Sequence, residues 1–238
     1  MKTVAVVGAA GYVGSQIAKA LDDCQGYKLI RLIRKDPVEE LFASADIIIH
    51  AANPAKRFMA ENDPMNDFVE TVEKTARLVS AAKGKRFVLV SSLSCRTQLD
   101  SSYGRNRRAC ELIALESKKS LVVRLGSMYG GNRTKDTLHD ILASNPVYLS
   151  AETRYAYVNV AWAAHAIIDM LNGTSSGVHE IGAHNSVSLS DIRDHFASTS
   201  TFNGINDTQI PQNFTKGPDA KDVFKFAEKE MDRINEWM

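Results

Sequence analysis

The 238-residue chain balances 29 Lys and Arg against 28 Asp and Glu, a formal charge of +1, and is 44% apolar and 24% charged. This is globular composition and excludes a disordered chain. The even charge excludes a broad electrostatic footprint for nucleic acid or an anionic membrane, and no apolar run approaches the about 18 residues of a bilayer span. Three cysteines (Cys24, Cys95, Cys110) are an odd set without metal-ligand spacing, as in a reduced cytoplasmic protein. The six histidines also lack ligand spacing, so no metal is expected. The apolar start, Thr3 to Val7, superficially resembles a signal peptide, but three regularly spaced glycines follow at once and explain it better.

Val4–Val7 is an apolar run closed by Gly8, which predicts a strand buried on both faces. Helical spacing of Val13, Ile17, Ala20 and Leu21 predicts a helix over 12–21. A strand at 29–33, a short helix at 37–42 with Pro at its first turn, and a buried strand at 46–50 follow. Val69, Val72, Ala76 and Val79 mark one stripe of a long helix over 68–82. Strands at 87–90 and 121–123 flank a helix at 103–115. This alternation means βαβ units and a parallel sheet. Beyond Gly130 the pattern loosens: strands are expected at 146–149, 155–158 and 178–181, and a helix at 160–171. Ser188 to Asp191 reads as a capping box for a helix through Phe196, 199–218 as a loop, and 219–237 as a mixed-charge helix. The expected architecture is α/β: a Rossmann-type, doubly wound parallel sheet in residues 1–130, with a small C-terminal substrate-binding region in 131–238 interleaved with the last core elements.

Gly8-Ala9-Ala10-Gly11-Tyr12-Val13-Gly14 lies on the first strand–helix junction. A dinucleotide diphosphate needs a tight turn, a bare backbone and a helix N-terminus with free N–H groups. Gly8 and Gly11 supply the first two, and Gly14 lets the helix pack closely on the strand. About 20 residues further on, an acidic residue would bind adenosine ribose hydroxyls and an arginine would accept a 2′-phosphate. Arg34 and Lys35 favour NADP, while Asp36 keeps NAD open.

These segments resemble, in order, the extended short-chain dehydrogenase/reductase family, whose NAD(P)-dependent epimerase/dehydratase group includes nucleotide-sugar enzymes. Gly8–Gly14 is similar to its glycine motif, and Asp46-Ile47-Ile48-Ile49-His50-Ala51-Ala52 to its D-x-V-I-H-x-A-A. Val90-Ser91-Ser92 resembles V-S-S, Tyr103 to Arg107 resembles Y-x-x-x-K, and Arg124 to Gly130 resembles R-x-x-N-V-Y-G. Tyr157-Val158-Asn159-Val160 and the strand Gly177–Gly182 complete seven segments over residues 3 to about 195. The resemblance implies that Tyr12, Val13, Ala51, Ala52 and Leu125 join the glycines at the cofactor. It places Ser94, Ser127, Met128 and Tyr129 beside the substrate, and His50 behind the site as support.

Hydride exchange at a carbonyl carbon needs a proton donor or acceptor at its oxygen, and a tyrosine serves when positive charge lowers its pKa from about 10. Tyr103 and Arg107 are four apart and so share a helix face, and Ser92 ends a strand on the side where open α/β sheets place function. The expected catalytic residues are therefore Ser92, which orients the oxygen, Tyr103, which exchanges its proton, and Arg107, which tunes Tyr103. Arg107 stands where the family has lysine, a swap that is not conservative because arginine is longer and planar. Tyr103 follows Ser92 by only 11 positions, which implies a trimmed loop. The expectation is an NAD(P)-dependent oxidoreductase or epimerase in the cytoplasm, acting on a nucleotide-sugar or related small carbonyl substrate. It binds neither nucleic acid nor membrane, and a homodimer is possible. The alternative is an NADP(H)-binding sensor or scaffold with weakened turnover.

Overall fold

The computed structural model describes residues 1–34, 36–212 and 216–236; Lys35, an expected phosphate ligand, and Trp237, in the expected last helix, lie outside the described residues. In chain order the elements are β1 (Lys2–Val7), α1 (Tyr12–Asp22), β2 (Tyr27–Leu32), α2 (Val38–Ala43), β3 (Ile47–His50), α3 (Arg57–Asn62) and α4 (Pro64–Phe68). A π-helical turn (Val69–Glu73) leads into α5 (Lys74–Ala82), β4 (Arg86–Ser92), α6 (Ser94–Thr97), α7 (Ser102–Ala114) and β5 (Leu121–Leu125). Then come β6 (Met128–Tyr129), α8 (Thr137–Leu142), β7 (Arg154–Tyr155), β8 (Val158–Asn159), α9 (Val160–Asn172), β9 (Gly177–Ile181), β10 (Val187–Ser188), α10 (Leu189–His195) and α11 (Asp222–Glu236).

Six strands form the main sheet in the order β2-β1-β3-β4-β5-β9. Pairing is parallel from β2 through β5, with Val4 opposite both Leu29 and Ile47, and Ser92 opposite Leu125. The chain leaves β1 toward β2 on one side and crosses back to β3 on the other, so β1 and β3 flank the switch point where open α/β sheets bind ligands at their carboxyl ends. Two faces of helices bury the central strands completely: Ile47, Ile48, Val88, Leu89, Val122 and Val123 are all inaccessible or nearly so. Lys85 and Arg86, side by side, cap two helix C-termini. The Lys85 ammonium reaches the carbonyls of Phe42, Ala43 and Ala45 after α2, and the Arg86 guanidinium those of Met170, Leu171, Gly173 and Ser175 at the end of α9.

The chain divides into two compact units, one made of Met1–Leu125 with Ala161–His179, the other of Gly126–Val160 with Glu180–Met238. In the second, β6 pairs with β8 and β10 with β7, and the Ser188–Asp191 capping box opens α10 as its sequence predicts.

Three expectations are corrected. The helix expected at 68–82 begins at Pro64 and is interrupted by the π turn. Its extra residue advances the helical phase by about 100°. The buried stripe therefore runs through Thr71, Thr75, Leu78 and Ala82, and Val69 faces out. Residues 146–149 make no strand; Val147 alone bridges to Phe202 within the loop 199–218. The strand expected at 155–158 is split into β7 and β8.

Candidate active site

Gly8 leaves β1 with φ +87°, and a Cβ there would lie 2.8 Å from Ala52 Cα and 2.9 Å from the Ala51 carbonyl. Only glycine accepts both the dihedral and the approach. The Gly8 and Ala9 N–H groups donate to the Leu32 carbonyl (2.9 and 3.2 Å), and Gly11 N–H donates to the Gly8 carbonyl (2.9 Å), which turns the chain into α1. At Gly14 a Cβ would meet the Gly8 carbonyl carbon at 2.8 Å and its oxygen closer still. Gly11 is the N-cap of α1, offers no capping side chain, and no acidic residue follows in the first turn. A bare, uncapped helix N-terminus at the switch point has the form a diphosphate requires, so Gly8, Gly11, Tyr12, Val13 and Gly14 fit such a group. Ala51 extends the β3 ladder through its N–H to the Val7 carbonyl (2.9 Å), and with Ala52 walls the other side of Gly8.

At the far end of β2, Arg34 is exposed, and the Asp36 carboxylate is taken up by the Ile33 N–H (2.6 Å). Sequence reasoning missed a charged pair beside this end. Lys74 of α5 donates to Glu70 (2.7 Å) and to the Ala52 carbonyl (3.4 Å). The hydrogen bond and charge of Lys74, with a smaller contribution from Arg34, hold the Glu70 carboxyl below its ordinary range.

Tyr103 occupies the first turn of α7 and is buried. The Arg107 guanidinium lies 4.7 Å from the centre of its ring, that of Arg57 5.9 Å. Arg107 is 3% exposed and donates to the Pro54 carbonyl, so the cation is fixed against the ring face rather than reaching out as a long flexible side chain. Glu61 of α3 accepts the N–H groups of Ser102 (2.7 Å) and Tyr103 (3.4 Å), while Ser101 caps α7 through Gly104 N–H. Neither α3 nor Arg57 and Glu61 is signalled in the sequence, because residues 53–63 carry no helical apolar period. Ser92 ends β4; its Oγ accepts the Ser94 N–H (3.2 Å) and donates to Ser94 Oγ (3.2 Å). Ser94 is buried, and Leu125, at the end of β5, accepts the Leu93 N–H through its carbonyl (3.0 Å).

Beneath these residues is a fully buried carboxylate, Glu111, with donors from Ser91, Cys95, Arg108 and Arg124. Burial pushes its pKa up, but the hydrogen bonds from Arg124, Cys95 and Ser91 outweigh this and keep it below the usual value. The same surroundings, burial first and the Glu111 charge second, push the Cys95 thiol far up, so it is no nucleophile. The signal for this cluster was an arginine inside the apolar strand Leu121–Leu125, which demands a buried partner. His50, also fully buried, is held neutral by burial and by the Lys74 and Arg107 charges, with its pKa lowered to about 3. Its Nδ1 accepts the Ala52 N–H (3.3 Å), so Nε2 carries the proton and donates to Thr75 (3.1 Å), which passes its own to the Thr71 carbonyl (2.7 Å). His50 thus braces the Ala51–Ala52 wall from behind.

Ser127, Met128 and Tyr129 belong to the second unit: Ser127 accepts the Val158 N–H (3.3 Å), Met128 and Tyr129 are buried in β6, and the Tyr129 ring packs on Phe226 (5.1 Å). Among the described residues no cluster of His, Cys, Asp or Glu is arranged to hold a metal ion, and no helix is long and apolar enough to cross a membrane.

Residues 4–157 match the NAD dependent epimerase/dehydratase family. A ceramide reductase of Caulobacter vibrioides is 28% identical over 216 residues, 80% of this chain; the chain spans 65% of that protein's length. Among solved structures, UDP-glucuronic acid 4-epimerase from Bacillus cereus, in complex with UDP-glucuronic acid and NAD, superposes with a TM-score of 0.76 at 16% identity, over 99% of this chain and 100% of that one. A dTDP-4-dehydrorhamnose reductase from Bacillus anthracis, in complex with NADP, gives 0.77 at 16% identity, over 97% and 99%. At such identities the likeness establishes a Rossmann-type fold.

Proposed function

We propose, from the premise that this chain belongs to the NAD dependent epimerase/dehydratase family, that it is an enzyme exchanging hydride at the carbon of a carbonyl/alcohol pair. A bound nicotinamide, of NADP in preference to NAD, supplies the hydride donor or acceptor. The observation that carries the reading is a buried tyrosine at the start of α7, with a fixed guanidinium 4.7 Å from its ring, in the same unit as the bare glycine loop. Gly8, Gly11, Tyr12, Val13 and Gly14 hold the diphosphate, Ala51, Ala52 and Leu125 flank the nucleotide, and Arg34 meets the 2′-phosphate. Tyr103 gives its proton to the substrate oxygen or takes it back, Ser92 hydrogen-bonds the same oxygen, and Arg107 balances the charge left on the ring. The family resemblance assigns Ser94, Ser127, Met128 and Tyr129 to substrate recognition.

A nucleotide sugar is the substrate class we favour; the epimerase and reductase whose folds this chain shares are named for such compounds. A second reading, a long-chain keto amphiphile, has its own support. Phe58 and Met59 of α3, whose Glu61 and Arg57 touch the start of α7, and Met65 and Phe68 of α4 are exposed apolar side chains. The relative named a ceramide reductase points the same way. Following NADPH absorbance with keto-sugar nucleotides and, separately, with micellar long-chain ketones tests both. Turnover of either class supports the enzyme; NADPH binding without turnover on any member favours the sensor or scaffold. Dimerisation through α5 and α7, implied by the family resemblance, is checked by light scattering.

A further inference from the structure

Glu111 lies on α7 eight residues beyond Tyr103, roughly 12 Å along the helix at about 1.5 Å per residue. Its carboxylate is completely buried and gathers donors from two other segments as well as its own. Ser91 Oγ (2.7 Å) comes from the end of β4 and Cys95 Sγ (2.9 Å) from α6, on either side of the β4–α6 junction. Arg124 reaches it from β5 through Nε (2.9 Å) and Nη2 (2.6 Å), and Arg108 of α7 through Nη1 (3.0 Å). A buried ion pair is weak evidence for stability, since desolvation cancels most of the Coulomb gain. Its return here is geometric. The turn that carries Ser92 is gripped at the residue before it and three residues after it, both times by Oε1 of a single side chain. That side chain belongs to the helix that carries Tyr103.

From this arrangement we propose that Glu111 is a positioning residue that locks the Ser92 turn to the Tyr103 helix, with Arg124 fixing the carboxylate in place. The inference rests on the hydride-exchange reading, in which Ser92 and Tyr103 meet at one substrate oxygen. Such a lock explains why a carboxylate about two helical turns beyond Tyr103 is held by five hydrogen bonds. A catalytic pair set by two separate elements loses rate steeply when one drifts.

The test removes the grips and keeps the charge pair, because deleting Glu111 or Arg124 would strand a buried charge and unfold the chain. In a double variant Ser91→Ala/Cys95→Ala, the NADPH Kd is expected to stay within about twofold, while kcat falls roughly 10–100-fold with little change in KM. Amides of residues 93–97 exchange with deuterium at least about tenfold faster, while those of β5 and of α7 beyond Glu111 keep their protection. The donor-preserving pair Ser91→Thr/Cys95→Ser recovers both signals, and Cys110→Ala, which removes an equally buried thiol from α7, alters neither. Wild-type exchange in the double variant overturns the lock, and wild-type kcat overturns its catalytic purpose. If the unaltered protein binds NADPH but reduces nothing, it is the hydride-exchange reading that falls, and the exchange rates alone then decide the lock.

Discussion

Gly14→Ala sets two ordinary effects against each other. Inside a helix alanine is favoured over glycine by about 1 kcal/mol, so propensity alone predicts a more stable protein. Against this, the new Cβ would sit 2.8 Å from the Gly8 carbonyl carbon and nearer its oxygen, and ordinary contact begins at 3.4 Å. The neighbour is backbone in a turn already committed to φ +87° and pressed against Ala52, so it has no soft way to yield. Overpacking of this kind costs about 1–3 kcal/mol, and steric cost wins because Gly14 is in the first turn, where the propensity gain is smallest. A net loss of about 1–2 kcal/mol lowers the Tm by roughly 2–8 °C in a chain of this size. Pushing the Gly8 carbonyl away from the helix N-terminus also opens the diphosphate cradle, so the NADPH Kd is expected to rise at least about tenfold. Thermal unfolding followed by circular dichroism and titration calorimetry with NADPH read the two effects. Gly26→Ala is the control: its φ is +106° but nothing lies within 4 Å, so it is expected to lower the Tm and leave affinity untouched. A Gly14→Ala protein with an unchanged or raised Tm and full NADPH affinity would refute the cradle.

Tyr103→Phe keeps the ring under Arg107 and removes only the hydroxyl, so NADPH binding is expected to hold while turnover falls roughly 10²–10⁴-fold; rate retention in steady-state assays would dismiss Tyr103 as acid/base. Arg34→Ala is expected to weaken NADPH binding about tenfold or more and leave NADH unchanged, as read by paired calorimetric titrations; equal loss for both nucleotides would move the 2′-phosphate elsewhere. His50, depressed from 6.5 to about 3 by burial, takes up its proton only when the chain unfolds. Its contribution is therefore complete above pH 6.5 and drains away as pH falls, about 2 kcal/mol between pH 6.5 and about 5. Urea unfolding at several pH values should show this slope in the wild type and a flatter one in His50→Asn; parallel profiles would contradict a neutral buried imidazole.

The βαβ order up to Leu125 was legible because buried strands and amphipathic helices write their periods directly into the chain, as Ile47 to Ile49 and Ile17 to Leu21 do. The glycine loop and the Ser188–Asp191 cap were equally legible, since each is a local requirement met by adjacent residues. The π turn was not: one extra residue leaves composition untouched and changes only phase, which is how Val69 came out exposed while Thr71 and Thr75 went in. In the second unit, two-residue strands such as β6 and β8 are too short to carry any period. Tyr103 and Ser92, which we propose for the chemistry, were singled out by their motifs. Glu61, Lys74 and Glu111 were hidden, because a charged residue on a helix reads as solvated until its tertiary partner is known.

The last strand of the main sheet, β9, comes from Gly177–Ile181, after the chain has built elements from Met128 to Asn172. During synthesis, β5 is therefore an open edge of Leu121 to Leu125, all apolar but for Arg124, until about fifty more residues have left the ribosome. In the finished fold Arg86, at the start of β4, anchors the segment that leads into this late strand: its four carbonyl acceptors at 170–175 lie immediately ahead of β9.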